Sequence, residues 1–209
     1  MLEKIREFLK KVTKTQLCLL GFNVLLVFFL ITLSNLGILP IKNYGDFIFF
    51  VFLALALALY RPGWAFLIFI GTIALENINL APLNMGISIR PYQFFGALTI
   101  LAVLICWTVK RLSFEILRLK WFDTLLIIIT FSGFISAFGA SDKAASLKMA
   151  LIFFTFAFLY LLIRNYIRDI EDLKKVVPFF LSSSVIIVLY GLWQNMRFME
   201  GLRAYEVMP

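Results

Sequence analysis

The class of this protein is clearest in residues 182–197, which read SSSVIIVLYGLWQNMR. An apolar run from Val185 to Leu189 leads directly into Tyr190 and then Trp193. Aromatic and polar side chains that follow an apolar run are typical of a transmembrane helix where it reaches the membrane–water interface. The stretch therefore predicts a membrane span that ends in a group of aromatic and polar side chains.

The composition of the whole chain agrees with this interpretation. The 209 residues are 62% hydrophobic and 17% aromatic, whereas soluble domains are about 45–50% apolar. The net charge of +8 does not indicate nucleic acid, because the basic residues stand in short segments between apolar runs, as in cytoplasmic loops of membrane proteins. We expect an all-α fold, a polytopic integral membrane helical bundle with short interfacial amphipathic helices. Membrane lipids are expected partners, and nucleic acid is not.

Cysteine and histidine usage bears on metal and redox chemistry. The chain has two cysteines, Cys18 and Cys106, each inside an apolar run, and it has no histidine. This pattern lacks the ligand spacing of a zinc site and the paired cysteines of a disulfide framework. We therefore expect no metal and no cofactor.

The apolar runs divide the chain into an ordered series of segments. Residues 1–16 alternate apolar and basic positions at helical spacing and predict a basic amphipathic segment on the cytoplasmic membrane surface. Residues 198–209 are predicted to form an outward tail. We expect this sequence to be the first part of a longer protein that continues beyond the tail. Between them, the bundle of residues 17–197 is predicted to contain seven spans, at about 17–38, 46–60, 62–76, 92–109, 123–138, 144–163 and 178–195.

The positive charges predict the orientation of these spans. With the N-terminus inside, 14 of the 20 Lys and Arg residues fall on cytoplasmic segments. Positive charge is enriched in cytoplasmic loops, so the N-terminus is predicted to be cytoplasmic and the C-terminal tail to be outside. The remaining six basic residues are then outside, namely Lys42, Arg90, Lys143, Lys148, Arg197 and Arg203.

Two further patterns concern local packing. Residues 164–177 place charged side chains on one helical face and apolar ones on the other, which predicts a cytoplasmic surface helix before the last span. Ser132, Ser136 and Ala140 follow each other at one-turn intervals. A stripe of small residues predicts a helix–helix contact inside a membrane.

The outward arginines are the candidate binding residues. Arg90, Arg197 and Arg203 run against the charge rule for outer segments, and their planar guanidinium groups suit bidentate contacts to phosphate. The alternative is that these side chains are scattered, solvated or in contact with lipid headgroups.

Other polar residues of the predicted outer face are also candidates for a functional role. Glu76, at the outer end of the third span, is a candidate general base, and Gln194 and Asn195 are candidates for sugar contacts. Each of them is equally an ordinary polar residue of a helix end. No phosphate-binding glycine loop, catalytic carboxylate pair or nucleophile–base pair is visible in the sequence, so the catalytic residues stay unknown.

Three segments together carry a family resemblance. They are ISIRPYQFF at residues 87–95, SAFGASD at 136–142 followed by Ser146, and LYGLWQ at 189–194. With the spacing of short spans, they resemble the N-terminal portion of the O-antigen ligase and O-antigen polymerase family of bacterial polytopic membrane proteins. The resemblance covers nearly the whole chain.

The resemblance implies a metal-independent glycosyltransferase of the bacterial inner membrane. Such enzymes transfer a glycan from an undecaprenyl pyrophosphate carrier, on the periplasmic side, to an acceptor sugar or to the lipid A core. Arg90, Arg197 and Arg203 would then contact the carrier pyrophosphate. The ligases carry a histidine in a later outer loop, and this chain has no histidine, so the resemblance implies that these residues do not catalyse alone.

Two other classes of function fit the same patterns. One is a transporter of a small anion or of a lipid-linked glycan, with the outward arginines as an attracting rim. The other is a non-catalytic membrane subunit of an envelope complex. Paired ionisable residues in the middle of spans would favour transport, and the sequence shows no convincing ionisable residue there.

Overall fold

The structure is a computed structural model that describes residues 14–82, 84, 88–112 and 119–206, with residues 199–206, Ala144 and Lys148 described by their backbone only. This described part is all-helical, as expected. Its seven α-helices are α1 Lys14–Asn35, α2 Tyr44–Tyr60, α3 Pro62–Thr72, α4 Pro91–Thr108, α5 Trp121–Gly139, α6 Lys143–Tyr166 and α7 Ile170–Glu206. Most of the predicted basic segment, residues 1–13, lies outside the described residues.

Five of these helices are long and apolar enough to cross a membrane: α1, α4, α5, α6 and α7. The other two are apolar but shorter, with 17 residues in α2 and 11 in α3. At 1.5 Å per residue, α3 is about 16 Å long, roughly half of the ~30 Å hydrocarbon core. The helices are thus those of a multi-pass membrane protein, and α3 ends at Thr72, four residues before the end predicted for the third span.

The surface of the described helices is rich in large apolar side chains. Phe138 is 80% exposed, Ile135 is 72% exposed and Phe49 is 71% exposed. Exposed apolar side chains in such number are unfavourable in water and are favourable against lipid chains. The exposed faces therefore fit a membrane environment.

The chain folds into two compact units. Unit 1 comprises Met1–Phe47, Leu67–Tyr92 and Lys175–Pro209, and it contains α1, the end of α3 and most of α7. Its buried side chains include a stripe along α1, at Leu19, Asn23, Val27, Leu30 and Ile31. The non-helical segment after α3 is also buried, with Leu80 and Ala81 fully enclosed. Non-helical backbone is tolerated at membrane depth only where protein surrounds it.

Unit 2 comprises Ile48–Phe66 and Gln93–Lys174. Three alanines, Ala58, Ala65 and Ala102, form a small buried cluster at no more than 3% exposure. Their short side chains let helix backbones approach closely, which is the usual source of helix association in membranes. In the same unit α5 packs along α6, where the rings of Phe134 and Phe154 meet edge to face at 5.8 Å.

The last helix differs from its predicted boundaries. The sequence predicts a surface helix over 164–177 and a new span from Pro178, whereas α7 runs without a break from Ile170 through Pro178 to Glu206. An internal proline removes one backbone hydrogen bond, but membrane helices tolerate such a residue, so the helix continues. Asp169 Oδ1 instead accepts the Asp172 N–H at 2.9 Å, which caps the new helix at its first turn. Residues 198–206 of the predicted tail are helical as well.

The predicted stripe of small residues on α5 is displaced by one residue. Ser132 and Ser136 are exposed, while Ala137 is buried and a Cβ on Gly133 would lie 3.9 Å from Ala150. The two serine hydroxyls donate to carbonyls of their own helix, at 2.7 Å and 2.9 Å. Because their polarity is satisfied locally, these serines can face lipid, and the glycine–alanine face packs on α6 instead.

Candidate functional site

Arg90 lies immediately before α4, at the end of a loop framed by Asn79. The Asn79 side chain accepts the N–H groups of Ala81 and Ile89, at 3.1 Å and 2.9 Å, and donates to the Ala81 carbonyl. Leu80 N–H also donates to the Ile89 carbonyl at 2.9 Å. These hydrogen bonds hold the two sides of the loop together and so fix the backbone position of Arg90.

The partner of Arg90 in this loop is Glu76. Arg90 Nη1 forms an ion pair with Glu76 Oε1, and both side chains are partly exposed, at 35% and 68%. A carboxylate oxygen that accepts from a guanidinium is already engaged, so Glu76 is poorly placed to act as a general base while the pair persists. The structure thus joins two of the sequence candidates directly.

Arg197 belongs to a second cluster, in the C-terminal half of α7. Its guanidinium carbon lies 4.5 Å from the centre of the Trp193 ring, a close cation–π contact. Nearby on the same helix, the Tyr190 hydroxyl donates to Asn35 Oδ1 and accepts from Gln194 Nε2. We call Asn35, Tyr190, Trp193, Gln194 and Arg197 the collar.

The collar and the Asn79 loop lie at the same end of unit 1. Asn35 is the last residue of α1, and the Ile41 N–H, in the connection that follows, donates to the Leu80 carbonyl at 3.3 Å. The end of α1 therefore contacts α7 through Tyr190 and leads within six residues to the loop that ends at Arg90. Amides, two aromatic rings and two guanidinium groups are gathered at this end.

The third predicted arginine is less defined. Arg203 lies on the last turns of α7, and its side chain is outside the described part. Asn195 is exposed on the same helix between Gln194 and Arg197. The contacts described for Arg90 and Arg197 are with different partners, Glu76 and Trp193.

Sequence reasoning missed a buried ion pair in unit 2. The Asp123 side chain is 1% exposed and pairs with Arg164 Nη1. Its two oxygens also accept the Lys120 N–H at 2.6 Å and the Tyr160 hydroxyl at 3.3 Å. The sequence signal was an acidic residue at the start of an apolar run, a position that usually serves as a helix cap.

A second omission is a buried polar pair in unit 1. Asn23 and Ser183 are both fully buried, and Asn23 Nδ2 donates to Ser183 Oγ at 3.1 Å. The Ser183 hydroxyl donates in turn to the Phe179 carbonyl at 3.0 Å. The only sequence signal was a single amide within the apolar run of α1, and its partner is 160 residues away.

A cavity in unit 2 is apolar. It has a volume of about 240 Å³ and lies between α4 and α6. Its lining includes Gln93, Leu101, Leu104, Phe154, Thr155 and Phe158. Such a lining suits a hydrocarbon chain and offers little to a charged ligand.

Among the described residues, no group of three or more His, Cys, Asp or Glu side chains is placed to hold a metal ion. The side chains of the collar can bind a ligand in three ways. The amides can hydrogen-bond hydroxyl groups, the aromatic faces can cover apolar ring surfaces, and the guanidinium can bind an anion.

Comparison with known proteins does not assign a family. No protein-family model, no curated protein and no solved structure matches this chain.

Proposed function

We propose that this chain forms part of a membrane glycosyltransferase that ligates or polymerises an undecaprenyl-pyrophosphate-linked glycan on the outer side of the bacterial inner membrane. In this proposal all seven helices take part in the membrane bundle, with the N-terminus cytoplasmic. The collar and the Asn79 loop then face outward, where the lipid-linked glycan is presented.

The observation that carries the proposal is the collar. Trp193 and Tyr190 provide aromatic surfaces of the kind that cover the apolar faces of sugar rings. Gln194 and Asn35 provide amide groups for hydroxyls, and Arg197 provides a planar fork for a phosphate oxygen pair. Groups suited to sugar, phosphate and membrane contacts thus lie beside the end of α1. The segments ISIRPYQFF and LYGLWQ, which resemble the ligase and polymerase family, contribute Arg90, Tyr190, Trp193 and Gln194.

The test is binding of the carrier to the protein in nanodiscs. We expect Arg197→Gln to weaken binding of undecaprenyl pyrophosphate by about tenfold to a hundredfold, because a hydrogen bond to a charged group contributes about 1.5–3 kcal/mol. Undecaprenol, which lacks the phosphates, should bind wild type and variant equally weakly.

A matched control is available at the other predicted face. Arg61 also stacks on aromatic rings, at 5.6 Å from Tyr60 and 5.8 Å from Trp64, but it lies on a turn predicted to be cytoplasmic. Arg61→Gln should leave carrier binding unchanged. Equal losses for the two variants would mean that the protein attracts the carrier by general charge, and the collar would not be the site.

A transporter is the second candidate, and one observation favours it. The Asn23–Ser183 pair is fully buried in the middle of two helices that can cross a membrane. Polar groups at such positions commonly mark substrate or ion pathways. Proteoliposomes that move a radiolabelled small anion or lipid-linked glycan across the bilayer, and lose this activity with Asn23→Leu, would favour transport over glycosyl transfer.

A further inference from the structure

Asn23 occupies the position where an apolar residue is expected in a membrane helix. It is the tenth of the 22 residues of α1, about 14 Å from the start of the helix, close to the middle of a ~30 Å hydrocarbon core. It belongs to the same buried stripe as Leu19 and Val27. A fully buried amide at this depth is costly unless each of its polar atoms has a partner.

Only one of the two polar atoms of this amide has a hydrogen-bond partner in the described part of the chain. Nδ2 donates to Ser183 Oγ, whereas Oδ1 is fully buried and has no hydrogen-bond partner among the described residues. A buried carbonyl oxygen attracts a donor or a cation. The Ser183 hydroxyl already donates to Phe179, so its proton is engaged while its oxygen faces Asn23.

The third component is the end of α3, against which Asn23 packs. A Cβ on Gly71 would lie 2.2 Å from both Asn23 Nδ2 and Asn23 Oδ1, so the amide rests on the bare Gly71 backbone. Gly71 is the next-to-last residue of α3. The C-terminal end of a helix carries a partial negative charge. The Ile70 and Thr72 carbonyls there each accept one backbone N–H from the turn that follows, which leaves each oxygen a second lone pair, and Thr72 is fully buried.

We propose that Asn23 Oδ1, Ser183 Oγ and the carbonyl end of α3 form a binding site for a monovalent cation, with Na⁺ as the chemical match. The set consists of neutral oxygen atoms, which suits an alkali cation; Ca²⁺ and Mg²⁺ generally take carboxylate ligands. Helices that stop inside the membrane and offer their C-terminal carbonyls are a recurring way to hold such ions. The inference concerns unit 1 alone and does not depend on the proposed glycan chemistry.

The test is a cation titration of thermal unfolding for the purified protein in detergent. Chloride salts of Na⁺, K⁺ and choline are compared at equal ionic strength. Because a ligand that binds only the folded state stabilises it, we expect a saturable rise in Tm of roughly 4 °C with Na⁺ relative to choline. An equal Tm in all three salts would overturn the proposal and leave the Asn23 oxygen with a water molecule.

Variants assign the effect to the site. Asn23→Leu and Ser183→Ala should abolish the difference between Na⁺ and choline, while Ser184→Ala should keep it, since the Ser184 hydroxyl bonds its own helix at the Phe180 carbonyl. Asn23→Asp should preserve or enlarge the Na⁺ effect, because a carboxylate binds the cation more strongly. If neither Asn23 variant folds, the wild-type titration and the two serine variants decide the question, and a Na⁺ effect that survives in Ser183→Ala counts against this site.

Discussion

At the scale of single residues, Asp123 is a charged side chain that is almost completely buried. It serves at once as a cap for α5, as the ion-pair partner of Arg164 on α6 and as an acceptor for Tyr160. These contacts tie the beginning of one helix to the end of the next. The pair is buried, so its loss costs far more than that of a surface pair.

Asp123→Asn should therefore destabilise the protein strongly. We expect the free energy of unfolding to fall by about 3 kcal/mol, the lower end for breaking a buried ion pair, because the Arg164 side chain keeps 17% exposure. Denaturant unfolding in detergent micelles measures this change. Combining it with Arg164→Gln should cost less than the sum of the two single changes.

The exposed pair Glu171–Lys174 is the control for this prediction. Its side chains are 71% and 58% exposed, and solvent screens the attraction between them. Glu171→Gln should change stability by no more than about 0.5 kcal/mol. A similar loss for Glu171→Gln and Asp123→Asn would show that burial does not set the strength of these pairs.

At the scale of helices, the contact of α1 with α3 depends on the absence of one side chain. Gly71→Ala gains up to about 1 kcal/mol from helix propensity. Against this stands an overpacking cost of about 1–3 kcal/mol, because the new Cβ would meet the Asn23 amide at 2.2 Å. We expect the overpacking term to win, with a net loss of stability in thermal unfolding.

Gly21→Ala separates the two terms. Gly21 lies in α1, and a Cβ there meets nothing within 4 Å, so this variant should be neutral or more stable. A stable Gly71→Ala variant would mean that Asn23 can move away at little cost, and the close packing of the amide would then have no energetic weight.

The helices show what the sequence could and could not predict. Apolar runs predicted seven helical segments, most of them with a proline or an acidic residue near the start, because these signals act within one helix. Pro178 was a misleading start signal, since the last helix begins at Ile170 and runs through it. The face of α5 that packs on α6 differs by one residue from the predicted face. A serine whose hydroxyl bonds a carbonyl of its own helix cannot be distinguished in sequence from a serine at a helix contact. The end of α3 at Thr72 was missed because the apolar letters continue through Leu75 while the backbone turns.

The candidate site was predictable in composition and not in pairing. Arg90, Arg197 and Gln194 stood out as polar residues at helix ends, which sequence alone reveals. The hydrogen bond between Tyr190 and Asn35 joins residues 155 positions apart, as the Asn23–Ser183 bond joins residues 160 apart. Such pairs depend on which helices become neighbours, and periodicity within one helix carries no information about that.

At the scale of the whole molecule, the proposed orientation follows from the loop charges. We expect Arg203→Cys to react with a membrane-impermeant maleimide from outside, and Arg111→Cys to react only after permeabilisation. The native Cys18 and Cys106 are first replaced by alanine. The labelling is measured by mass shift in intact cells.

Arg61→Cys provides an independent check, since the turn between α2 and α3 is predicted to be cytoplasmic. It should behave like position 111. Labelling of 111 and 61 from outside, with 203 protected, would reverse the orientation. The collar would then face the cytoplasm, and an outward glycan site there would be excluded.

The hydroxyl groups that bond their own helix also bear on how this protein is made. Along α5, Thr130, Ser132 and Ser136 each donate to a carbonyl three or four residues earlier. A newly synthesised helix of this kind reaches the lipid with its side-chain polarity already hidden, without waiting for a neighbouring helix. Hydrophobicity scales that score each residue type separately therefore underestimate the favourable membrane-insertion free energy of α5. Its insertion during biogenesis should be more favourable than its amino-acid composition indicates.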